Sequence, residues 1–297
     1  MPRLNTPCLA TRAFPPVFTG GTKQRPLNGS GASGGKPRFN SKGNVMDSGS
    51  RAKGTSRLLL PLIAILCSFL ALLVLASSGF GTRFGLWPFR TGFAILKWSA
   101  FLGLAAGLLA LIAGAVALQK KQAVGIALSL LALVVGMSAF ALPYSWKLKA
   151  QQYPRIHDIS TDLDNPPKFV AVAPLRQGLP ESGGAAVAAL QLKGYPDIKT
   201  LVLSIPMQQA FQSALDTARE MGWQVEAQVP AEGRIEATDT TFWFGFKDDI
   251  VIRIYPAGGR SLVDIRSVSR VGVSDVGTNA KRIRTFLAKM AHQPVAK

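Results

Sequence analysis

Cysteine is nearly absent from this chain of 297 residues: there are two, Cys8 and Cys67, and none after residue 67. A disulfide framework and a zinc-thiolate site are therefore excluded from everything beyond the first quarter of the chain. Histidine is as scarce, with His157 and His292 only. No HExxH pair is formed, and no EF-hand spacing occurs among the aspartates. No acidic residue lies between 58 and 152. The apolar runs in that interval carry no interior Asp, Glu, Arg or His of the kind that transporters and proton pumps use, which marks them as an anchor and not a conduit. P-loop, dinucleotide and nucleophile-elbow motifs are missing too: "GASGG" lies in a polar tail and "PAGG" between two strand patterns. No cofactor is expected.

What is present is charge, unevenly placed. The net charge is +18. Residues 1–57 contribute +9, residues 58–152 contribute +7, and residues 153–297 only +2. A groove that neutralises phosphates needs cations clustered on a folded surface, so no nucleic-acid partner is expected. Residues 1–57 are rich in Gly, Ser, Pro, Asn and basic side chains. They bury too little apolar surface to offset chain entropy and are expected to be a disordered basic tail. Met46 is an alternative start to Met1 and would leave "MDSGSRAKGTSR" before the first apolar run.

Three apolar runs follow, at about 58–81, 98–118 and 123–146. Each reaches the roughly 20 residues that cross a bilayer core. The first is longer than a signal-peptide core and lies far from Met1, which favours a span. Only "QKKQ" separates the second and third, so they form a tight hairpin. Trp87, Trp98, Tyr144 and Trp146 lie near span ends, where amphipathic rings favour the interface. Small residues recur at Gly103, Gly107, Ala110 and Gly114, and at Gly125, Ser129, Ala132 and Gly136. Such faces pack helices closely within the anchor or, as the other expectation, across a homo-oligomer. The basic tail and Lys120-Lys121 place the N-terminus in the cytoplasm. Residues 147–297 then fall in the periplasm of a Gram-negative cell, with the anchor in the inner membrane. Arg83, Arg90, Lys97, Lys147 and Lys149 run against that orientation.

Residues 147–199 read as an irregular connecting segment, broken by Pro166-Pro167, Pro174, Pro180 and "ESGGAA". Within it "YPRI" at 153–156 is echoed by "YPDI" at 195–198, and each leads toward an edge strand. From residue 200 to 292 an α+β domain is legible. "TLVLSI" is a short strand. After Pro206, a helix carries Ala210, Phe211, Ala214, Leu215 and Ala218 at helical spacing up to Gly222. "WQVEAQV", "RIEATDT", "DIVIRIY" and "SLVDIRSVSR" are meandering strands. A last helix, capped by Ser274 or Asp275, places Ile283, Phe286, Leu287 and Met290 on one face. The predicted fold is a three-helix transmembrane anchor followed by a twisted antiparallel sheet of about five strands with two covering helices.

The blocks "IHDISTDLDNPPKF", "YPDI", "AEGRIEATDTTFWFGFKDDIVIRI" and "VDIRSVSRVGVSDVGTNAKRIRTFLA" occur in order, and over residues 153–290 the chain resembles the domain-of-unknown-function family 1499. The three-span anchor resembles the membrane-attached bacterial members. The resemblance supports the architecture and implies no mechanism.

Three stretches could carry chemistry. His157, Asp158, Asp162 and Asp164 combine an imidazole with carboxylates, a weak metal set and a candidate catalytic set with Arg266. The alternative is that these side chains bond local amides and hold a loop. In "TTFWFGFKDD", Trp243, Phe244, Lys247, Asp248 and Asp249 could grip a lipid-like ligand or close the end of the sheet. Arg266 and Arg270, four apart on a strand, face the same way and either clamp an anion or pair with Asp158, Asp162 or Asp248. The expected function is a membrane-anchored envelope protein with a non-enzymatic domain that binds a lipid-like ligand or an envelope protein. The alternative is a hydrolase or metal-dependent enzyme using His157, Asp158 and Asp162 with Arg266.

Overall fold

A computed structural model describes residues 50–176 and 183–292. The tail expected over 1–57 lies outside the described residues as far as Ser50, where helix α1 (Ser50–Arg83) already begins. Helices α2 (Phe89–Gln119) and α3 (Ala123–Gln152) follow. All three are long and apolar enough to cross a membrane. Their faces are sorted by size. On α1, Ala64, Ser68, Ala71 and Leu75 are buried, while Leu62, Leu66, Phe69, Leu70 and Leu73 face outward. Small residues inside and large apolar residues outside suit lipid as the surrounding solvent, because close backbone contact, and not burial from water, holds such helices together.

That contact is tight where the helices meet. A methyl group built on Gly103 would lie 2.7 Å from the Gly136 carbonyl oxygen and 2.9 Å from the Ala139 Cβ. One built on Gly136 would be 3.1 Å from the Ser68 hydroxyl. Ser68 donates its hydroxyl to the Ala132 carbonyl at 2.7 Å, tying α1 to α3. The glycine face that offered a homo-oligomer contact is thus occupied inside the anchor. Gly103→Val is expected to splay the hairpin at a cost of roughly 1–3 kcal/mol, as overpacking does. The check is the thermal midpoint of the full chain in micelles. An unchanged midpoint would mean that this contact does not hold the hairpin.

The C-terminal domain has six strands, one more than the sequence pattern gave. They are β1 (Asp158–Ser160), β2 (Leu201–Leu203), β3 (Gln224–Val229), β4 (Arg234–Thr240), β5 (Lys247–Ala257) and β6 (Arg260–Ser269). The sheet order is β1-β6-β5-β4-β3, all antiparallel, with β2 also pairing β6. Both Tyr-Pro-x-Ile copies lead into this edge. Ile156 and Ile198 enter the core, and β1 and β2 then lie end to end along β6. The added strand β1 comes from the segment expected to be irregular. It is only three residues long, and pairing with β6 makes it a strand, since no periodicity marks it.

The same segment contains a helix, α4 (Gly184–Gly194), in an Ala-rich stretch with no clear apolar face. Tertiary contact explains it. The Gln191 side chain accepts from the Ser160 amide at 3.0 Å and donates to the Ser160 carbonyl at 2.6 Å. One side-chain amide thereby completes the outer edge of β1, where unpaired backbone groups would otherwise remain. Helices α5 (Met207–Glu220) and α6 (Thr278–His292) cover one face of the sheet. Ile235, Ile250, Ile252, Ile254, Val263 and Ile265 meet them there in a single core. Asp275 accepts from the amides of Gly277 at 3.0 Å and Asn279 at 2.6 Å, capping the entry to α6. Burial pushes its carboxyl above the usual range, against the lowering effect of those amides.

Tyr195, at the end of α4, is 3% exposed. Burial, and then Asp275 and Tyr153, push its phenol up from 10.0 to about 12. The fold therefore favours the neutral form. An unfolded chain would lose that proton near 10, so this contribution to stability is complete below about pH 10 and falls as pH rises toward 12. Ultraviolet titration of the folded chain is expected to show Tyr195 ionising about two pH units late. A normal titration in Tyr195→Phe-sensitive absorbance would contradict its burial.

Candidate functional site

The second face of the sheet is charged and nevertheless buried. Alternation along β4, β5 and β6 puts Glu236, Thr238, Asp249, Arg253, Asp264, Arg266 and Arg270 on the side away from α5 and α6. Glu236, Asp249 and Asp264 are 0% exposed and Arg266 is 2% exposed. What covers them is part of the connecting segment, residues 161–176, laid across the sheet as a strap.

The strap is pinned by charge. Glu236 accepts from the amides of Val170, Ala171 and Val172 at 3.0–3.1 Å and pairs with Arg234. Three successive amides around one carboxylate form an anion cradle, here filled from within the protein. The Asp162 carboxylate accepts the amides of Asp164 and Asn165, an Asx turn, while its other oxygen takes Arg253 at 2.8 Å. Arg253 also binds Asp264, which accepts the hydroxyls of Thr161 and Thr200. Asp158 receives Arg266 through two parallel bonds of 2.9 and 2.8 Å. Phe169 lies under both Arg266 and Arg176, with guanidinium-to-ring distances of 5.3 and 4.8 Å. Such planar, bidentate and stacked contacts are the strong class of charged hydrogen bond.

The sequence-derived candidates therefore fall into separate pairs. Asp158 and Arg266 meet, but Asp162 goes to Arg253 and Asp164 contributes only its backbone amide to the turn. His157 Nδ1 donates to the Ser269 carbonyl at 3.0 Å, since that carbonyl can only accept. Among the described residues no three His, Cys, Asp or Glu side chains converge to hold a metal ion. Asp248 pairs with Arg282 on the helix-covered face, and Asp249 on the opposite face. Asp249 takes two arginines: Arg176 at 2.8 Å, and Arg270 through Nε at 3.0 Å and Nη2 at 2.7 Å. Hydrogen bonding to Asp249 holds the Arg270 guanidinium above its ordinary pKa despite burial. Arg176 was not among the candidates. A single arginine inside the apolar, Pro-flanked run "AVAPLRQ" was the one available signal, because a solvated arginine has no use for such surroundings.

Trp243 and Phe244 belong to a different structure. Residues 241–246 close on themselves through Thr241, whose amide donates to the Phe246 carbonyl and whose hydroxyl accepts the Phe246 amide. Gly245, at φ +67°, permits the reversal next to Arg83. This aromatic loop docks on the helix ends. Trp243 donates its indole N–H to the Ala76 carbonyl at 3.1 Å and stacks edge-on with Trp146 at 5.3 Å. Phe244 and Phe246 pack on Phe93 of α2, at 5.1 and 6.0 Å. Arg83 donates to the carbonyls of Thr241 and Phe242 at 2.8 and 2.6 Å. Lys247, at the start of β5, is exposed and has no ion-pair partner among the described residues.

One recess borders this junction and another lies beside it on the domain. A groove of about 330 Å³ is walled by Trp87, Phe89, Phe246, Lys247 and Arg270. A cleft of about 340 Å³ lies on the domain, with His157, Arg176 and Arg270 among its lining. No curated protein matches the chain. Residues 158–290 match the family model described as a protein of unknown function, DUF1499. The match begins at the first residue of β1 and ends inside α6, so strap, charged face and aromatic loop all fall within it.

Proposed function

We propose that this chain is a membrane-anchored envelope protein whose C-terminal domain binds a lipid-like ligand at the bilayer surface and does so without catalysis. The observation that carries the reading is the docked aromatic loop. It holds the domain against the ends of helices that are apolar enough to span, and it leaves Phe242 at 77% exposure; on the loop after β6, Val273 is 64% exposed. Exposed apolar side chains beside membrane helices are suited to lipid. The hydrolase alternative needs a free carboxylate near His157, and Asp158 and Asp162 are both committed to arginines.

For orientation we propose the inner membrane of a Gram-negative bacterium, with the N-terminus cytoplasmic and the domain periplasmic. Arg83 is one of the cations that ran against this. Its hydrogen bonds to the aromatic loop give it a structural role, which weakens it as a topology signal. Two measurements test the reading. Ser274→Cys, in a chain whose Cys8 and Cys67 are replaced by serine and alanine, should react in whole cells with a maleimide that crosses only the outer membrane. Native mass spectrometry of the full chain released from membranes should show a lipid adduct. A bare mass, or an adduct with another envelope protein instead, would count against a lipid-like ligand.

A further inference from the structure

We propose that the 340 Å³ cleft on the domain takes the phosphate of an anionic phospholipid headgroup; this deepens the lipid-binding reading above and rests on it. The cleft lies between the start of β1, the end of β6 and the first turn of α4. Its charge is unbalanced. Asp249 neutralises only one of the two guanidiniums it binds; Glu226 also acts on Arg270 but lies outside the cleft's lining. Arg155 adds another positive charge and has no ion-pair partner among the described residues. The carboxylate in the lining is Asp158, and Arg266 already neutralises it.

The second observation is Arg176 itself. It lines the cleft while only 8% exposed. Its Nη1 reaches Asp249 at 2.8 Å and the Val268 carbonyl at 3.5 Å. The hydrogen bonds it makes to described residues run through Nη1, and the planar fork of a guanidinium matches phosphate oxygens. Gly183 and Val187 bring the N-terminal end of α4 to the same cleft, where the Gly183 amide already donates to the Asp158 carboxylate at 3.0 Å.

Location selects the source of the phosphate. Arg270 lines both this cleft and the groove walled by Trp87 and Phe89 at the helix ends. Gly272 lines both this cleft and a smaller recess bounded by Phe89 and Phe93 of α2. The cleft thus lies next to the recesses at the helix ends, with Arg270 and Gly272 as shared walls. Its volume is at the lower end for small-molecule sites, enough for a headgroup with the acyl chains left outside along the aromatic side chains.

The experiment uses the full chain in phosphatidylcholine nanodiscs, titrated calorimetrically with short-chain phosphatidylglycerol and, in a separate arm, with inorganic phosphate. One phosphatidylglycerol per chain is expected. Binding should weaken at least tenfold in Arg155→Gln and in Val273→Glu, two exposed positions whose unfolding midpoints should stay unchanged. Equal binding by wild type and both variants overturns the cleft and leaves lipid binding elsewhere on the domain intact. Inorganic phosphate binding as tightly as phosphatidylglycerol overturns the lipid source. No binding of either by the wild type, together with no lipid adduct on the native chain, overturns the broader reading.

Discussion

Asp249→Ala is expected to destabilise the C-terminal domain by about 3–5 kcal/mol, the range for removing one partner of a buried ion pair. Against a typical total of roughly 5–15 kcal/mol this is enough to unfold a marginal domain. Asp249 is fully buried and accepts from Arg176, Arg270 and the Thr238 hydroxyl. Without it, two guanidiniums at 8% and 17% side-chain exposure face each other with no counter-charge. Arg176 ends the described part of the strap, so the loss should also lift the strap from the sheet. The readout is amide hydrogen exchange of the full chain in micelles. Exchange should accelerate in β5, in β6 and at Val170, Ala171 and Val172, whose amides bind Glu236. Asp249→Asn keeps the shape and loses the charge, and should fall in between. If protection in Asp249→Ala matches that of the wild type, water reaches the arginines and the charged face is a surface with a loose cover.

Asp158 stood among the partners the sequence offered Arg266, but the burial of this face was not legible, for a physical reason. On β6 the alternation of Val263, Ile265 and Ser267 with Asp264, Arg266 and Arg270 has the pattern of a strand with one wet side. Periodicity reports which residues share a face. It does not report whether charges on that face meet water or each other. The pairs that decide this, such as Asp158 with Arg266 and Arg176 with Asp249, are separated by 108 and 73 residues. The three long apolar helices were legible from the length of their runs, and the strand order from β3 to β6 and the faces of α5 and α6 because burial of apolar side chains fixes them locally. Strand β1 and helix α4 were not, since pairing with β6 and a Gln191 side chain hold them. The turn chemistry of "STDLDNPP" was legible as a loop; that the loop is a cover over buried charge was not.

Trp243→Ala is expected to free the domain from its anchor while leaving the domain folded. The indole is held by three unrelated contacts: the Ala76 carbonyl, the Trp146 ring and the neighbouring Phe244 ring. The helix is shaped to receive it. A methyl group on Gly79 would sit 2.3 Å from the indole Cδ1, so the small residues of "LASSG" at the end of α1 make the seat. A fully buried tryptophan costs roughly 3–5 kcal/mol to truncate, and half-burial here brings the expected loss of docking to about 2–3 kcal/mol. At a factor of ten per 1.4 kcal/mol, exchange of the Gly245 and Phe246 amides should speed up roughly 30-fold or more. The core around Phe286 and Trp223, which stack at 5.5 Å inside the domain, should keep its protection. Gly79→Leu tests the same contact from the other side, filling the seat while sparing the loop, and should give the same separation. Equal protection of the loop in both variants would mean that the connection after α3 alone positions the domain. The headgroup cleft shares Arg270 and Gly272 with the recesses at this junction. A freed domain should therefore also bind short-chain phosphatidylglycerol without preference for its own nanodisc, whereas the docked domain draws on the lipid beside it.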